Sequence, residues 1–191
     1  MFVRSLSLGV AAAALMVGGA QAADLIIPTT PQPIYEAAGF DWSGLYAGVR
    51  AGGQWTGANN YANTTVNTTY GVVGAAVGVN FIPVDPFLIG AEVTGDWVWA
   101  NNTSSGEFFA NLRAGAVVTD SVLVYALGGV GVNTTGNTTE SVYQLGGGVE
   151  VAVTDAITVR GELVGQGDFS NVAGDQFFES AKATVGVFYH F

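Results

Sequence analysis

Apolar and polar residues alternate along most of this chain, and the clearest run is the last. Ala181, Ala183, Val185, Val187, Tyr189 and Phe191 take every second position, with Ser180, Lys182, Thr184, Gly186, Phe188 and His190 between them. Successive side chains of an extended strand point to opposite faces, so this spacing predicts a strand with one apolar and one mostly polar face. A terminal phenylalanine with a tyrosine two residues before it, closing a strand about ten residues long, suits the last strand of a bacterial outer-membrane barrel. Tyr189 and Phe191 are read as the C-terminal signal presented to the barrel-assembly machinery. A lone strand cannot span a bilayer, because its unpaired N–H and C=O groups would each cost several kcal/mol. The remaining strands must come from the rest of the chain.

The same period recurs upstream. Leu45, Ala47, Val49, Ala51, Gly53 and Trp55 share a face in strand one, and Ile89, Ala91, Val93, Trp97 and Trp99 share one in strand three, Phe87 to Trp99. Strand four, Glu107 to Val118, sets Phe108, Ala110, Leu112, Ala114 and Ala116 outward. Strand six, Val142 to Val153, sets Tyr143, Leu145, Val149, Val151 and Val153 outward. Strand seven, Ile157 to Phe169, does so with Ile157, Val159, Leu163 and Phe169. Strands two, about Tyr70 to Phe81, and five, Val122 to Val132, carry small residues on both faces, and parity leaves their facing open. With the closing strand the count is eight.

Between strands, polar stretches at Thr56 to Thr69, Asn101 to Gly106, Asn133 to Glu140 and Ser170 to Gln176 read as longer loops. Pro83 to Pro86, Asp120-Ser121 and Asp155-Ala156 read as tight turns. Long and short connections therefore alternate, as in an outer-membrane barrel with short periplasmic turns and longer surface loops. An even strand number puts both termini on the periplasmic side. The fold class expected is all-β: an eight-stranded antiparallel up-and-down transmembrane β-barrel behind a cleaved signal peptide.

Residues 1–22 have the form of that signal: Arg4, an apolar run from Leu8 to Val17, and Ala20-Gln21-Ala22 before the cut. In residues 23–41 Pro28, Pro31 and Pro33 are too closely spaced for a helix or central strand, which makes an extended periplasmic leader, a plain linker without a peptidoglycan-binding motif. The barrel is expected over 42–191.

Charge sharpens this picture. Only 10% of residues are charged and the formal net charge is -10, which argues against a nucleic-acid partner, since phosphate contact needs clustered Lys and Arg. The four basic residues after the signal, Arg50, Arg113, Arg160 and Lys182, all fall opposite the apolar stripe, as do Glu92, Asp96, Glu150, Glu162 and Asp168. A lipid-facing Arg or Lys at midplane costs about 2 to 4 kcal/mol, so inward is the cheaper placement. An eight-stranded barrel is just wide enough inside for side chains, so these nine residues are expected to pair into a network that plugs the lumen. Trp42, Trp55, Trp97, Trp99 and Tyr189 lie near strand ends and read as aromatic girdles at the headgroup zones; Phe81, Phe87, Tyr125, Phe169 and Phe191 join them.

Three motifs carry a resemblance. Phe40-Asp41-Trp42-Ser43-Gly44-Leu45-Tyr46-Ala47-Gly48 after a proline-rich leader, Gly90-Ala-Glu92-Val-Thr-Gly95-Asp96-Trp97-Val-Trp99, and Val185-Gly186-Val187-Phe188-Tyr189-His190-Phe191 span the mature chain. The chain resembles the small outer-membrane porin-like proteins of alphaproteobacteria, the major surface-protein family of brucellae and rhizobia. The resemblance implies an outer-membrane surface protein that contributes to envelope integrity, in contact with outer-membrane lipid and lipopolysaccharide.

Catalytic chemistry has little to draw on. His190 is the only histidine and cysteine is absent. A histidine-based metal or haem site has no second ligand, and no cofactor is expected. A Ser-His-acid lipid hydrolase would need its histidine at the surface rim, whereas His190 falls at the opposite end as a structural residue of the membrane interface. Asn-Thr-Thr triplets at Asn63, Asn67, Asn133 and Asn137 read as polar loop chemistry that can meet lipopolysaccharide sugars. Gly128 to Gly131 and Gly146 to Gly148 read as sites of strand curvature and close packing, since no helix or Lys accompanies them. Three functions follow: a structural envelope protein with a plugged lumen, a narrow pore for small solutes or ions, and a binding module acting through its loops.

Overall fold

The computed structural model describes residues 39–56, 68–100, 103–136, 138–169 and 177–191. The expected signal peptide and most of the expected leader lie outside the described residues, as do positions 57–67 and 170–176 of two expected loops. The described chain forms eight strands: β1 Gly44–Thr56, β2 Thr68–Val84, β3 Phe87–Ala100, β4 Thr103–Thr119, β5 Val122–Thr135, β6 Thr138–Ala152, β7 Ile157–Asp168 and β8 Ser180–His190. Each pairs antiparallel with its neighbours in sequence, and β1 pairs with β8, so the sheet closes on itself. Closure leaves no strand edge, which is what a β-structure surrounded by lipid requires.

Facing follows parity. Leu45, Val49, Val77, Val93, Leu112, Leu163 and Val185 are exposed on the outside, while every Asp, Glu, Lys and Arg within the strands falls at an inward position. Strands β2 and β5 are resolved: Val73 and Val77 face out, and Leu123, Tyr125 and Leu127 face in. The cross-strand register decides this, since β5 is held on both sides by β4 and β6, whose charged residues point inward.

Two expected loops are mostly strand. β3 and β4 stay paired out to Ala100 and Thr103, and β5 and β6 out to Thr135 and Thr138. The stretches Asn101 to Gly106 and Asn133 to Glu140 look like loops because Asn, Thr and Ser favour turns. Here Thr103 to Gly106, Asn133 to Thr135 and Thr138 to Glu140 continue the ladder. The simple alternation of long and short connections is corrected accordingly.

The chain enters β1 from inside the barrel mouth. Phe40 N–H donates to Asp120 O at 3.1 Å, and Trp42 packs with Leu88, Leu123, Tyr125 and Leu127. This short strap lies at the terminal end, together with the turns at Asp85-Pro86 and Asp120-Ser121 and with Phe191. The opposite, distal end carries the β3–β4, β5–β6 and β7–β8 connections.

Candidate functional site

The lumen is the candidate site, and its contents form layers along the barrel axis. At the terminal end Trp42 is 1% exposed and lies edge-on to His190, whose ring stacks on Tyr46 with centroids 5.4 Å apart. Trp42 is therefore not a girdle residue: β1 begins only at Gly44, so the strand parity that would have turned it outward does not apply to the strap. Tyr125 is also buried inside rather than at the border. Trp97, Trp99, Tyr189 and Phe191 face outward near strand ends, and Trp55 is half-buried. Tyr143 keeps outward parity but is covered, its ring against Phe169 and Phe177 and its hydroxyl donating to Phe177 O.

A first ionic layer follows. Arg160 reaches Glu92 at 2.5 Å and Glu150 at 3.0 Å, and Arg113 reaches Glu150 at 3.0 Å. Arg113 also donates to the Tyr46 hydroxyl at 2.7 Å, which itself donates to Glu92 at 2.9 Å. His190 Nε2 lies 3.1 Å from Glu150, and the Thr158 hydroxyl donates to the same carboxylate at 2.5 Å. The two guanidinium groups are wedged between rings, Arg113 3.9 Å from the Tyr125 centroid and Arg160 3.7 Å from that of Phe188. Aromatic faces attract cations, so the rings stabilise the layer while filling its volume.

The second layer centres on Arg50, which makes a two-point contact with Asp96 and a third bond to Glu162 at 2.9 Å. Lys182 bridges Asp96 at 2.7 Å and Glu107 at 2.8 Å. Tyr125 donates to Glu162 at 2.7 Å, tying this layer to the first. Glycine makes the room: a Cβ on Gly74 would sit 2.0 Å from Asp96 Oδ1, and one on Gly148 would sit 2.5 Å from the Tyr125 hydroxyl. Small residues on the inner wall are thus matched to large polar side chains from neighbouring strands.

Beyond Lys182 lies a mesh of amides and a hydroxyl gathered on Glu107 at the distal end. Gln54 donates to Glu107 at 3.1 Å and Gln166 at 2.9 Å, Gln166 to Glu107 at 3.0 Å, and Ser180 to Gln166 at 3.0 Å. Above it opens a cavity of about 380 Å³ lined by Glu107, Phe109, Glu140, Asp168, Glu179 and other residues.

Of the nine residues read as a lumen network, Arg50, Glu92, Asp96, Arg113, Glu150, Arg160, Glu162 and Lys182 meet in the two ionic layers. Asp168 is placed instead at the half-buried rim of the distal cavity. Sequence reasoning missed Glu107 and His190 as lumen members. Glu107 opens strand four, and its parity with Asn111 and Arg113 is the signal that finds it. His190 alternates with Tyr189 in the closing strand in the same way.

No family model and no curated protein matches the chain. Among solved structures it is similar to the N-terminal β-barrel domain of Pseudomonas aeruginosa OprF, with a TM-score of 0.51 and 13% identity, over 76% of this chain and 97% of that one. It is likewise similar to Ail, the attachment invasion locus protein of Yersinia pestis, with a TM-score of 0.53 and 9% identity, over 78% of this chain and 97% of the other. At such identities the likeness is one of fold. The chain has the architecture of the small eight-stranded outer-membrane barrels.

Proposed function

We propose that this chain is an integral outer-membrane protein of a Gram-negative envelope, and that its role is structural. The observation that carries the reading is the doubly closed lumen: Trp42 and Phe40 fill the terminal end, and four cations engaged with five carboxylates fill the middle. A pore of this width would need a water-filled path between those groups. The apolar exterior suits contact with lipid. The motif resemblance to the alphaproteobacterial surface proteins supports a part in envelope integrity. In this reading residues 1–22 are removed on export, the proline-rich leader is periplasmic, and the barrel-assembly machinery recognises Tyr189 and Phe191.

The deciding experiment is conductance of refolded protein in planar bilayers, paired with a deletion strain challenged by detergent. No discrete steps and a fragile envelope are expected. Reproducible single-channel steps that change with Glu92→Gln or Arg113→Met would replace this reading with that of a narrow pore.

A further inference from the structure

The outer wall of the barrel is not evenly filled. Toward the terminal end a groove of about 450 Å³ crosses β3, β4 and β5, with Phe87 and Ile89 on one side, Val124 on the other, and Ala114, Ala116 and Ala126 as its floor. Register produces it: Phe87 pairs with Ala116 and Ala116 with Val124, while Ile89 pairs with Ala114 and Ala114 with Ala126. Methyl side chains therefore stand beside large ones in two successive outward rows. No charged side chain lines the groove. An acyl chain lying in it touches protein on three sides and gains more dispersion contacts than it would on a flat wall.

The charge at the terminal mouth of the groove is independent of that shape. The chain turns at Asp85-Pro86, just before Phe87, and at Asp120-Ser121, between Ala116 and Val124. Val117 N–H donates to Pro86 O at 2.9 Å, which holds the first turn against β4. Asp85, Thr119, Asp120 and Ser121 are all exposed there. The four basic residues of the chain after Arg4 are buried in the lumen, so none of them is offered to a lipid phosphate outside. Carboxylates repel an anionic headgroup and attract a cationic one, and like charges brought together discriminate strongly against the wrong partner.

We propose that this groove seats one acyl chain of a phospholipid whose headgroup carries a primary ammonium, of the phosphatidylethanolamine class. The ammonium meets Asp85 and Asp120, and the phosphate accepts from the hydroxyls of Thr119 and Ser121. An ammonium group presents three donors to carboxylates, whereas the trimethylated nitrogen of choline presents none. Asp155 gives a comparison within the molecule: it is an exposed acid on another turn of the terminal end, but its outward neighbours Val151, Val153 and Ile157 are bulky rather than small. The site rests on the outer-membrane reading, in which the terminal end meets the periplasmic leaflet, and not on the closed lumen.

The test is native mass spectrometry of the full chain refolded in micelles holding equal amounts of phosphatidylethanolamine, phosphatidylglycerol and phosphatidylcholine with the same acyl chains. Retention of one phosphatidylethanolamine is expected, favoured over each of the others by about threefold or more, the scale of an exposed ion pair. Asp85→Asn with Asp120→Asn should bring the three lipids to equal retention, and Asp155→Asn should leave the preference as it was. Ala116→Leu with Ala126→Leu, which fills the groove, should lower retention of all three, while Ala110→Leu on the same face of β4 should not. Folding of every variant is checked by heat-modifiable migration, with Ala114→Val as the milder filling where the double variant fails. Equal retention of the three lipids by the parent, or a preference that survives both the paired aspartate change and the filled groove, would overturn the site. Failure of the chain to insert into vesicles of any composition would overturn the outer-membrane reading along with it, whereas insertion without lipid preference strikes the groove alone.

Discussion

Arg50 of β1 and Asp96 of β3 meet over the inner face of β2, joined Nε to Oδ1 at 2.9 Å and Nη2 to Oδ2 at 2.6 Å, with no side chain from β2 between them. The intervening β2 residue is Gly74, paired with Arg50 on one side and Asp96 on the other. Two parallel bonds between a guanidinium and a carboxylate fix geometry as well as energy. Because Arg50 also holds Glu162, its removal takes the guanidinium from two buried carboxylates at once, leaving Asp96 to Lys182 and Glu162 to the Tyr125 hydroxyl. Arg50→Met should destabilise the barrel by about 3–5 kcal/mol, measured by urea unfolding in vesicles. A cost under about 1 kcal/mol would mean the pair is solvated like a surface contact.

Gly74 and Gly161 give a paired test of lumen packing. A Cβ at Gly74 meets Asp96 Oδ1 at 2.0 Å and Gly95 O at 2.5 Å, whereas one at Gly161 meets nothing within 4 Å. Gly74→Ala should cost about 1–3 kcal/mol or block folding, as overpacking does in any close-packed core. Gly161→Ala should stay within about 0.5 kcal/mol of the parent, as an unconstrained surface change does. Comparable folding yields and midpoints for the two variants would contradict the tight fit described for β2.

The outer face can be probed by depth. Leu112 lies in mid-strand and is 72% exposed, while Val118 lies near the terminal end of the same strand. Leu112→Arg should cost about 2–4 kcal/mol in a bilayer and Val118→Arg about 0–1 kcal/mol. Equal costs would argue that this face does not meet hydrocarbon.

Trp42 should behave unlike the other three tryptophans. In a variant carrying Trp55→Phe, Trp97→Phe and Trp99→Phe, the remaining indole is sealed among Leu88, Leu123 and Tyr125. Its fluorescence is expected to resist both aqueous acrylamide and brominated lipid. Trp97 and Trp99, which face outward, should be quenched by brominated lipid. Lipid quenching of Trp42 would return it to the border position that its place in the sequence suggested.

The period of two was legible in the chain itself. An extended backbone turns alternate side chains to opposite sides whatever its neighbours, so the inward placement of Arg50, Glu92, Arg113, Arg160 and Lys182 needed no tertiary information. So did the strand number, because turn residues punctuate the alternation. Only the closed sheet decided the rest. Which cation meets which carboxylate depends on register, and Lys182 reaches Glu107 from a residue 75 positions away. Trp42 left the membrane border for the lumen because the strap before β1 obeys packing against Leu88 and Leu123 rather than strand parity. The polar residues Asn133 to Thr135 and Thr138 to Glu140 became strand because each had the other to pair with. Alternation is local geometry and is written residue by residue; partnership is made only when distant strands close around a common axis.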